Sequence, residues 1–233
     1  MCGRLNTHGI RWLDLQLQPP PEELVRPSYN LAPGGEFFIL VEVSSGGREV
    51  FGAEWGLQYR RRDGTLKRLH NARCETVRQI HVFREAFLKS RCVVPAHGFY
   101  EWSAEDRQPF YFCRKDGHPL TLAGIFEKDS SGKMFVAILT MQANQEVRKI
   151  HHRMPVVLDL DKLDLWLKKA PLAVTETSPL FDANMTPTLN FWPVPKSVGN
   201  TRNDHPGLIL EVQPQTQAAR QPTIQEMLFT DLN

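Results

Sequence analysis

The sequence of 233 residues is long enough for one sizeable domain, and its hydrophobic content of 41% is sufficient for a buried core. A net charge of +2 excludes a protein that attracts nucleic acid through a strong overall field, so such binding must come from local clusters of charge. The four cysteines lack CxxC spacing and no apolar run reaches membrane-spanning length, so we expect a cytoplasmic protein without a signal peptide, disulfides, zinc or membrane anchor.

The N-terminal residues place a small thiol residue, Cys2, directly behind Met1. Initiator methionine is removed when the next residue is small, so Cys2 is a candidate mature N-terminus that carries both an α-amine and a thiol. An α-amine has a pKa near 7.8, against about 10.4 for lysine, and is therefore suited to attack an aldehyde at neutral pH. The neighbouring thiol can then close on the imine carbon to form a thiazolidine ring. The alternative is that Cys2 begins a buried strand.

The segments that follow predict the start of an antiparallel sheet. A short strand over 4–7 and a brief helix over 12–17 precede a proline-glycine turn over 29–34. Apolar runs over 37–43 and 49–57, separated by serines and glycines, predict a hairpin.

The segment 58–68 is predicted to be a loop and is rich in basic residues. Its aromatic residue is Tyr59, and its basic residues are Arg60, Arg61, Arg62, Lys67 and Arg68. One interpretation is a solvated loop, since basic runs are common. The other is a surface that follows the backbone of a single-stranded nucleic acid, with Tyr59 as a stacking platform for a base.

Two polar residues, Asn71 and Arg73, lie just before a segment with helical periodicity. Apolar residues recur at helical spacing over 75–89, which predicts a helix there. Because the start of a helix presents unpaired N–H groups, we expect that a phosphate can be held there alongside Arg73.

A carboxylate lies among aromatic residues in the second of two predicted strands, 91–94 and 98–102. Glu101 stands between Tyr100 and Trp102. Desolvation in such surroundings raises a carboxyl pKa, which suits Glu101 to exchange a proton near neutral pH. The alternative is a solvated strand face that carries Glu101 while its aromatic neighbours pack inward.

Two histidines, His151 and His152, lie on a predicted bend before Pro155. One of them can titrate during catalysis, since the unperturbed pKa of histidine is about 6.5. Adjacent side chains on a helix diverge, which disfavours a metal site. The alternative for His151 is a structural role in satisfying polar groups of the core.

The rest of the chain predicts one domain followed by a tail. The further expected elements are a hairpin of strands 109–113 and 120–127, strands at 134–141, 156–158 and 190–194, short helices over 143–149 and 159–169, and a loop over 199–203. We detect no internal repeat and no second core, so we predict a single domain over 2–212. The Gln-, Pro- and Thr-rich composition of 213–233 is typical of a flexible tail.

Seven motifs occur together in the order seen in one protein family. They are Met1-Cys2-Gly3-Arg4, Tyr29-Asn30-Leu31-Ala32-Pro33, Trp55-Gly56-Leu57, Asn71-Ala72-Arg73, Gly98-Phe99-Tyr100-Glu101-Trp102, Ile150-His151-His152-Arg153-Met154-Pro155 and Gly199-Asn200. In this combination the chain resembles the SRAP (SOS response-associated peptidase) family, whose members crosslink covalently to abasic sites in single-stranded DNA. The resemblance implies an α+β fold with an irregular antiparallel β-barrel or sheet core, flanked by short helices, and an N-terminal cysteine in a cleft.

The resemblance implies catalytic roles for four residues. Cys2 would attack the ring-opened abasic aldehyde through its amine and close the thiazolidine through sulfur. Asn71 would orient the N-terminus or the sugar by hydrogen bonds. Glu101 would shuttle protons during imine formation, and His151 would assist opening of the deoxyribose ring.

The resemblance further implies that Arg4 and Arg73 bind the phosphates that flank the abasic site. The chain departs from the family after its Trp-Gly motif, where members carry a proline and one or two tryptophans that stack against bases. Here the segment is Gln58-Tyr59-Arg60-Arg61-Arg62. We expect that Tyr59 substitutes as the stacking residue, or that the arginines replace stacking by phosphate contact and cation–π interaction. Binding is therefore expected to be unusually sensitive to salt.

The tail contains a short motif, 225–229, that resembles the peptide by which bacterial replication and repair proteins bind the sliding clamp. Gln225 would anchor the peptide, and Leu228 and Phe229 would fill a hydrophobic groove. The alternative is a tail that packs on its own domain.

Two other classes of function are consistent with the sequence. An N-terminal-nucleophile hydrolase, such as a peptidase or an amidohydrolase, would also use a mature N-terminal cysteine. A non-catalytic single-strand-binding module would use the basic segment and have no need of Cys2. Nothing in the sequence indicates a bound cofactor, and we expect a nucleoid-associated protein of the cytoplasm.

Overall fold

The computed structural model of the chain describes residues 3–21, 26–43 and 46–213. The strands in these ranges are β1 (Leu5–Asn6), β2 (Glu36–Glu42), β3 (Arg48–Trp55), β4 (Leu57–Arg60), β5 (Leu66–Leu69), β6 (Asn71–Arg73), β7 (Arg91–Ala96), β8 (Gly98–Trp102), β9 (Pro109–Arg114), β10 (Leu120–Lys128), β11 (Met134–Gln142), β12 (Arg153–Pro155) and β13 (Leu189–Pro193). The α-helices are α1 (His81–Lys89), α2 (Leu163–Leu167) and α3 (Val174–Thr177). Short 3-10 helices lie at Trp12–Leu15, Val147–Lys149, Leu160–Lys162, Pro179–Phe181, Ala183–Met185, Lys196–Gly199 and Pro206–Ile209.

The larger sheet is organised around β11. One edge of β11 pairs in parallel with β3 and then β6, and β11 also pairs antiparallel with β10 and β12. Because β10 pairs in turn with β7, β7 with β2 and β2 with β3, the strand pairing returns to β11. The β11 side chains are buried from Met134 to Met141, so both faces of this strand are covered. The α+β prediction with an irregular sheet core is confirmed.

A second sheet, in the order β1-β8-β9-β13, carries the N-terminal strand. Three phenylalanines stack across its strands, with ring centroids 4.8 Å apart for Phe99 and Phe112 and 5.3 Å apart for Phe112 and Phe191. Such cross-strand aromatic pairs fix the register of an antiparallel sheet. Gly98 is required here, because a Cβ atom at this position would lie 2.3 Å from the Tyr111 ring.

The predicted hairpin of 109–113 and 120–127 is wrong, because β9 and β10 lie in different sheets. The β10 side chains are buried from Leu120 to Phe126, so this strand is covered on both faces and is paired with β7 and β11. β9 instead pairs with β8 and β13, where its Phe112 joins the aromatic stack.

The predicted helix over 75–89 begins only at His81. Hydrogen-bonded turns occupy the preceding residues, with the Gln79 and Ile80 N–H groups both donating to the Thr76 carbonyl. The Arg78 side chain donates to the Leu172 carbonyl and the Thr177 hydroxyl, which holds this segment against α3 and the residue pair before it. No helix among the described residues is long and apolar enough to cross a membrane.

Candidate functional site

The N-terminal strand β1 is held on both sides. Leu5 exchanges two backbone hydrogen bonds with Leu31, at 3.0 and 2.8 Å, and pairs on its other side with Phe99 of β8. The Tyr100 N–H donates to the Arg4 carbonyl at 3.1 Å. Since the two strands run antiparallel, the chain leads from Arg4 towards Glu101 as it approaches its N-terminus. Cys2 itself lies outside the described residues.

Asn30 joins two distant motifs beside β1. Its buried side-chain amide donates to the carbonyl oxygens of Val198, Asn200 and Asn203, at 3.1, 3.0 and 2.8 Å. A buried amide is costly unless its donors are satisfied, so the loop after Val198 and the turn at Asn30 require each other. The sequence motifs contained both segments, but nothing in the sequence predicted that they meet.

Glu101 is buried in β8, with 3% of its surface exposed. Burial raises the pKa of the Glu101 carboxyl from its ordinary value of 4.5 to about 7. The burial of Glu101 agrees with the interpretation of a desolvated carboxyl, whereas the solvated strand face is wrong. A carboxyl with this pKa exists in both protonation states at neutral pH and can exchange a proton there.

His151 lies next to Glu101, with its Nδ1 atom 4.0 Å from the Glu101 Oε1 atom. Burial lowers the pKa of the His151 imidazole below its ordinary value of 6.5, so the neutral ring predominates at pH 7. The exposed ring of His152 lies against it, with ring centroids 4.4 Å apart. The site therefore pairs a carboxyl that titrates near neutrality with an imidazole that is predominantly neutral at pH 7.

Asn71 and Arg73 lie in β6, which pairs in parallel with β11. Ala72 points into the core, so its two neighbours share the opposite face of the strand, where Asn71 is half-buried and Arg73 exposed. The prediction that Arg73 lies at the start of a helix is wrong. Residues 71–73 form a strand, and α1 begins only at His81. β6 and β12 meet β11 at the same residue, Thr140, which brings the two motifs together.

Arg4 is partly engaged within the protein. Its guanidinium donates to the Gly199 carbonyl at 3.3 Å and lies over the Trp102 ring, 5.9 Å from the centroid. Burial lowers the pKa of the Arg4 side chain from its ordinary value. Arg4 thus lies across from Tyr100 of β8, with its side chain between the Trp102 ring and the loop at Gly199.

The basic segment is a hairpin of β4 and β5 rather than a loop. Tyr59 pairs with Lys67 across it, and alternate residues extend to opposite faces. Arg61 and Arg62 lie exposed at the turn end, where the backbone N–H of Arg61 closes the hairpin on the Thr65 carbonyl. The exposed basic residues of the hairpin are Arg60, Arg61, Arg62, Lys67 and Arg68.

Arg68 has a partner inside the protein. Its guanidinium lies 2.5 Å from Oε1 of Glu54, a buried carboxylate that also contacts Lys133 at 3.0 Å. This network anchors the hairpin to β3. Arg61 and Arg62 lie exposed at the turn of the hairpin, where an external anion can reach them.

The sequence did not predict an ion pair between Arg153 and Glu75 next to His151. Arg153 is buried and binds both Glu75 oxygens, at 2.6 and 3.0 Å, while its NH2 group also donates to the Thr140 carbonyl at 2.7 Å. The motif around His151 contained Arg153, but its partner Glu75 is distant in sequence and carried no signal. Among the described residues, no group of three or more His, Cys, Asp or Glu residues is arranged to hold a metal ion.

The tail motif of Gln225, Leu228 and Phe229 lies outside the described residues.

Comparisons with known proteins relate the chain to one family. It matches the family model described as SOS response associated peptidase (SRAP) over residues 1–201. It is 32% identical over 229 residues to the abasic site processing protein YedK of Escherichia coli, covering 91% of this chain and 100% of that protein. It is 30% identical over 181 residues to the abasic site processing protein YoaM of Bacillus subtilis, covering 72% of this chain and 79% of that protein.

Similarity extends to a vertebrate protein and to solved structures. The abasic site processing protein HMCES of Gallus gallus is 30% identical over 227 residues, covering 81% of this chain and 67% of that protein. A crystal structure of a protein from Bacteroides thetaiotaomicron matches with a TM-score of 0.74 and 22% identity, covering 91% of this chain and 100% of that one. At this level of identity the structural match establishes a common fold.

Proposed function

The chain belongs to the SOS response associated peptidase (SRAP) family, and on that premise we propose that it processes abasic sites in DNA by forming a covalent DNA–protein crosslink. Relatives with 30–32% identity are named abasic site processing proteins. An abasic site supplies the aldehyde that the chemistry requires, and a single strand leaves that aldehyde open to a cleft that a stacked duplex would block.

The nucleophile in this proposal is the α-amine of Cys2 after removal of Met1. The amine adds to the aldehyde carbon, and loss of water gives an imine. The thiol then adds across the carbon–nitrogen double bond: sulfur bonds to the former aldehyde carbon, and the nitrogen takes up a proton. The product is a thiazolidine, and one water molecule is released for each crosslink.

Glu101 is the proton carrier for these steps. Formation of the imine requires protonation of the departing hydroxyl group, and the later attack of the thiol requires removal of its proton. A carboxyl whose pKa burial raises to about 7 suits both tasks at neutral pH. The antiparallel pairing of β1 with β8, which leads the N-terminal segment towards Glu101, supports this role.

His151 acts on the sugar in this proposal, where it assists opening of the deoxyribose ring. The closed sugar is a hemiacetal, and it yields the aldehyde only when its ring oxygen gains a proton and its hydroxyl loses one. The 4.0 Å separation of His151 and Glu101 supports a shared task, in which one group donates while the other accepts. Asn71 orients the sugar or the amine by hydrogen bonds from the neighbouring strand.

The DNA backbone follows the positive surface around this site. Arg4 and Arg73 bind phosphates beside the abasic sugar, and the β4–β5 hairpin extends the contact. Arg61 and Arg62, exposed at the turn, contact phosphates farther along the strand, while Tyr59 stacks on a base.

One observation supports the proposal more than any other. The buried Glu101, with a pKa raised to about 7, lies in β8 beside His151, and β8 is the strand that pairs with the N-terminal strand β1. The test is incubation of the purified protein with single-stranded DNA that contains one abasic site. We expect a heat-stable and SDS-resistant adduct. Cys2→Ser should form only a labile imine that borohydride traps, and a variant that retains Met1 should form neither species.

A peptidase is the second candidate, since the family description carries that word. The same N-terminal cysteine would then act through an acyl-enzyme and turn over a peptide or amide many times. Multiple turnovers of a peptide without a DNA adduct would favour this candidate. A near-stoichiometric DNA adduct without amide hydrolysis would favour crosslinking.

We further propose that the tail binds a bacterial sliding clamp through Gln225, Leu228 and Phe229. The apolar pair Leu228-Phe229 in a tail of mostly polar composition fits a docking peptide. Retention of the full-length protein on immobilised clamp should be lost when Leu228 and Phe229 are both changed to alanine. Unchanged retention, or none with the unaltered protein, would contradict this proposal.

A further inference from the structure

Two backbone groups of Arg153 lie against the same ring nitrogen of His151. The Arg153 N and O atoms are each 3.0 Å from His151 Nδ1. A backbone N–H can only donate and a carbonyl can only accept, so Nδ1 has a suitable partner both when it is bare and when it carries a proton. The imidazole therefore keeps its orientation as it gains or loses a proton.

The pairing of β12 with β11 explains why these backbone groups are available to the ring. The Ala143 N–H donates to the His152 carbonyl, and the Val156 N–H donates to the Leu139 carbonyl. In an antiparallel ladder, alternate residues direct their backbone groups towards the partner strand. Arg153 falls between the hydrogen-bonded positions, so its N–H and carbonyl point away from β11 and towards His151.

The Arg153 side chain holds that backbone in place. Its two terminal nitrogens bind the Glu75 carboxylate, and one of them also contacts the Thr140 carbonyl and hydroxyl oxygens at 2.7 and 3.1 Å. Bidentate arginine–carboxylate pairs are geometrically specific, and this one is tied to the strand next to the site. A residue so constrained offers a fixed support for the His151 ring.

We propose that Arg153 is a positioning residue for proton transfer by His151, and that Glu75 acts through Arg153. This inference rests on the proposed crosslinking function. In the protonated ring, Nδ1–H donates to the Arg153 carbonyl, and Nε2–H gives its proton to the deoxyribose ring oxygen. The bond from that oxygen to C1′ breaks, with its electron pair remaining on the oxygen. The C1′ hydroxyl loses its proton to Glu101 and becomes the aldehyde.

Within the described part of the chain, titratable or charged groups lie next to the ring on Glu101, His152 and Arg153. Glu101 lies 4.0 Å from Nδ1, the His152 ring packs against one face, and Arg153 contributes both its backbone and its positive charge. Loss of the Arg153–Glu75 ion pair would let the His151 ring move towards solvent. The ring would then be less buried, and its pKa would rise towards the ordinary value.

The test compares Glu75→Gln and Arg153→Lys with a matched control. Glu75 is 40% exposed and lines a cavity of about 830 Å³, so its replacement leaves room for water and should not prevent folding. The control is Glu85→Gln, which breaks an exposed ion pair with Lys89 on α1. Each protein is assayed for the rate of adduct formation across pH, for affinity to DNA that carries a tetrahydrofuran abasic analogue, and for the His151 tautomer by ¹⁵N NMR.

We expect Glu75→Gln to slow adduct formation about tenfold while leaving affinity for the analogue unchanged, because misorientation of a proton donor affects the reaction more than binding. The acid limb of its pH profile should move towards the ordinary histidine pKa, and the ¹⁵N shifts of the His151 ring should differ from those of the unaltered protein. Arg153→Lys should behave in the same way, and Glu85→Gln should match the unaltered protein.

An unchanged rate, pH profile and tautomer in folded Glu75→Gln would overturn the inference. If Arg153→Lys does not fold, Glu75→Gln alone decides. Failure of the unaltered protein to form an adduct would instead contradict the proposed function, and the tautomer measurement would still test whether Arg153 holds the ring.

Discussion

The Oε1 atom of Glu101 lies 4.0 Å from the Nδ1 atom of His151, where β8 and the start of β12 bring a buried carboxyl against an imidazole. Burial shifts the two pKa values in opposite directions, since it disfavours the charged form of each group. Burial thus leaves the Glu101 carboxyl partly protonated at neutral pH and keeps the His151 ring predominantly neutral there.

Glu101 should make the stability of the fold depend on pH. Its folded-state pKa is raised, so the folded state holds the proton more tightly than the unfolded chain, and stability falls as pH rises from 4.5 to about 7. We expect Glu101→Gln to be more stable than the unaltered protein at alkaline pH by about 3 kcal/mol, with little difference at acidic pH. Urea unfolding at both pH values, with the exposed Glu105→Gln as control, measures this. An equal difference at both pH values would contradict it.

The exposed turn of the basic hairpin should govern the salt dependence of binding. Replacing both Arg61 and Arg62 with alanine should reduce the slope of log affinity against log salt by about 1.4, since each single-strand phosphate contact contributes about 0.7. Fluorescence anisotropy with a labelled single strand measures the slope. Arg84→Ala, on the exposed face of α1, should leave it unchanged. A slope unaffected by the double replacement would show that the turn does not contact DNA.

Arg68 should contribute to stability as well as to charge. Its replacement by alanine leaves the buried Glu54 with Lys133 as its cationic partner, and we expect a loss of about 1 kcal/mol, since Arg68 is itself 44% exposed. The double variant Glu54→Gln with Arg68→Ala should recover part of this loss, because the carboxylate no longer needs a counter-charge. Urea denaturation of the two variants gives the comparison. A double variant less stable than Arg68→Ala would contradict the account.

Asn30 should hold the N-terminal strand and the loop at Gly199 together. Asn30→Ala removes donors to three carbonyl groups, and we expect a loss of about 2 kcal/mol in the free energy of unfolding. The rate of adduct formation should fall as well, since β1 depends on this region. The exposed Asn190→Ala serves as control. Unaltered stability of Asn30→Ala would mean that the loop finds other donors.

The sequence was informative where chemistry is local. Aromatic neighbours predicted a desolvated Glu101, and alternation and turn residues predicted β2, β3 and β11 closely. Apolar periodicity gave the C-terminal end of the helix at Lys89 correctly but extended its start, because the Arg78 contacts that hold 75–80 as turns come from residues near α3.

Long-range relationships could not be predicted from local pattern. β9 and β10 belong to different sheets because each also pairs with a strand that is not adjacent to it in sequence. Arg153 contacts Glu75 because β6 and β12 both pair with β11. The same holds for Arg68, which in sequence is one more cation of a basic segment and in the structure is the partner of a buried carboxylate.

The most direct test of the account is intact mass spectrometry of the adduct formed with single-stranded abasic DNA, before and after borohydride treatment. An imine and a thiazolidine have the same mass, but only the imine takes up two hydrogen atoms on reduction. We predict an adduct that lacks Met1, is lighter than its components by one water, maps to Cys2 and resists reduction. An adduct that gains two hydrogens, maps to another residue, or forms with Met1 still attached would contradict the central claim.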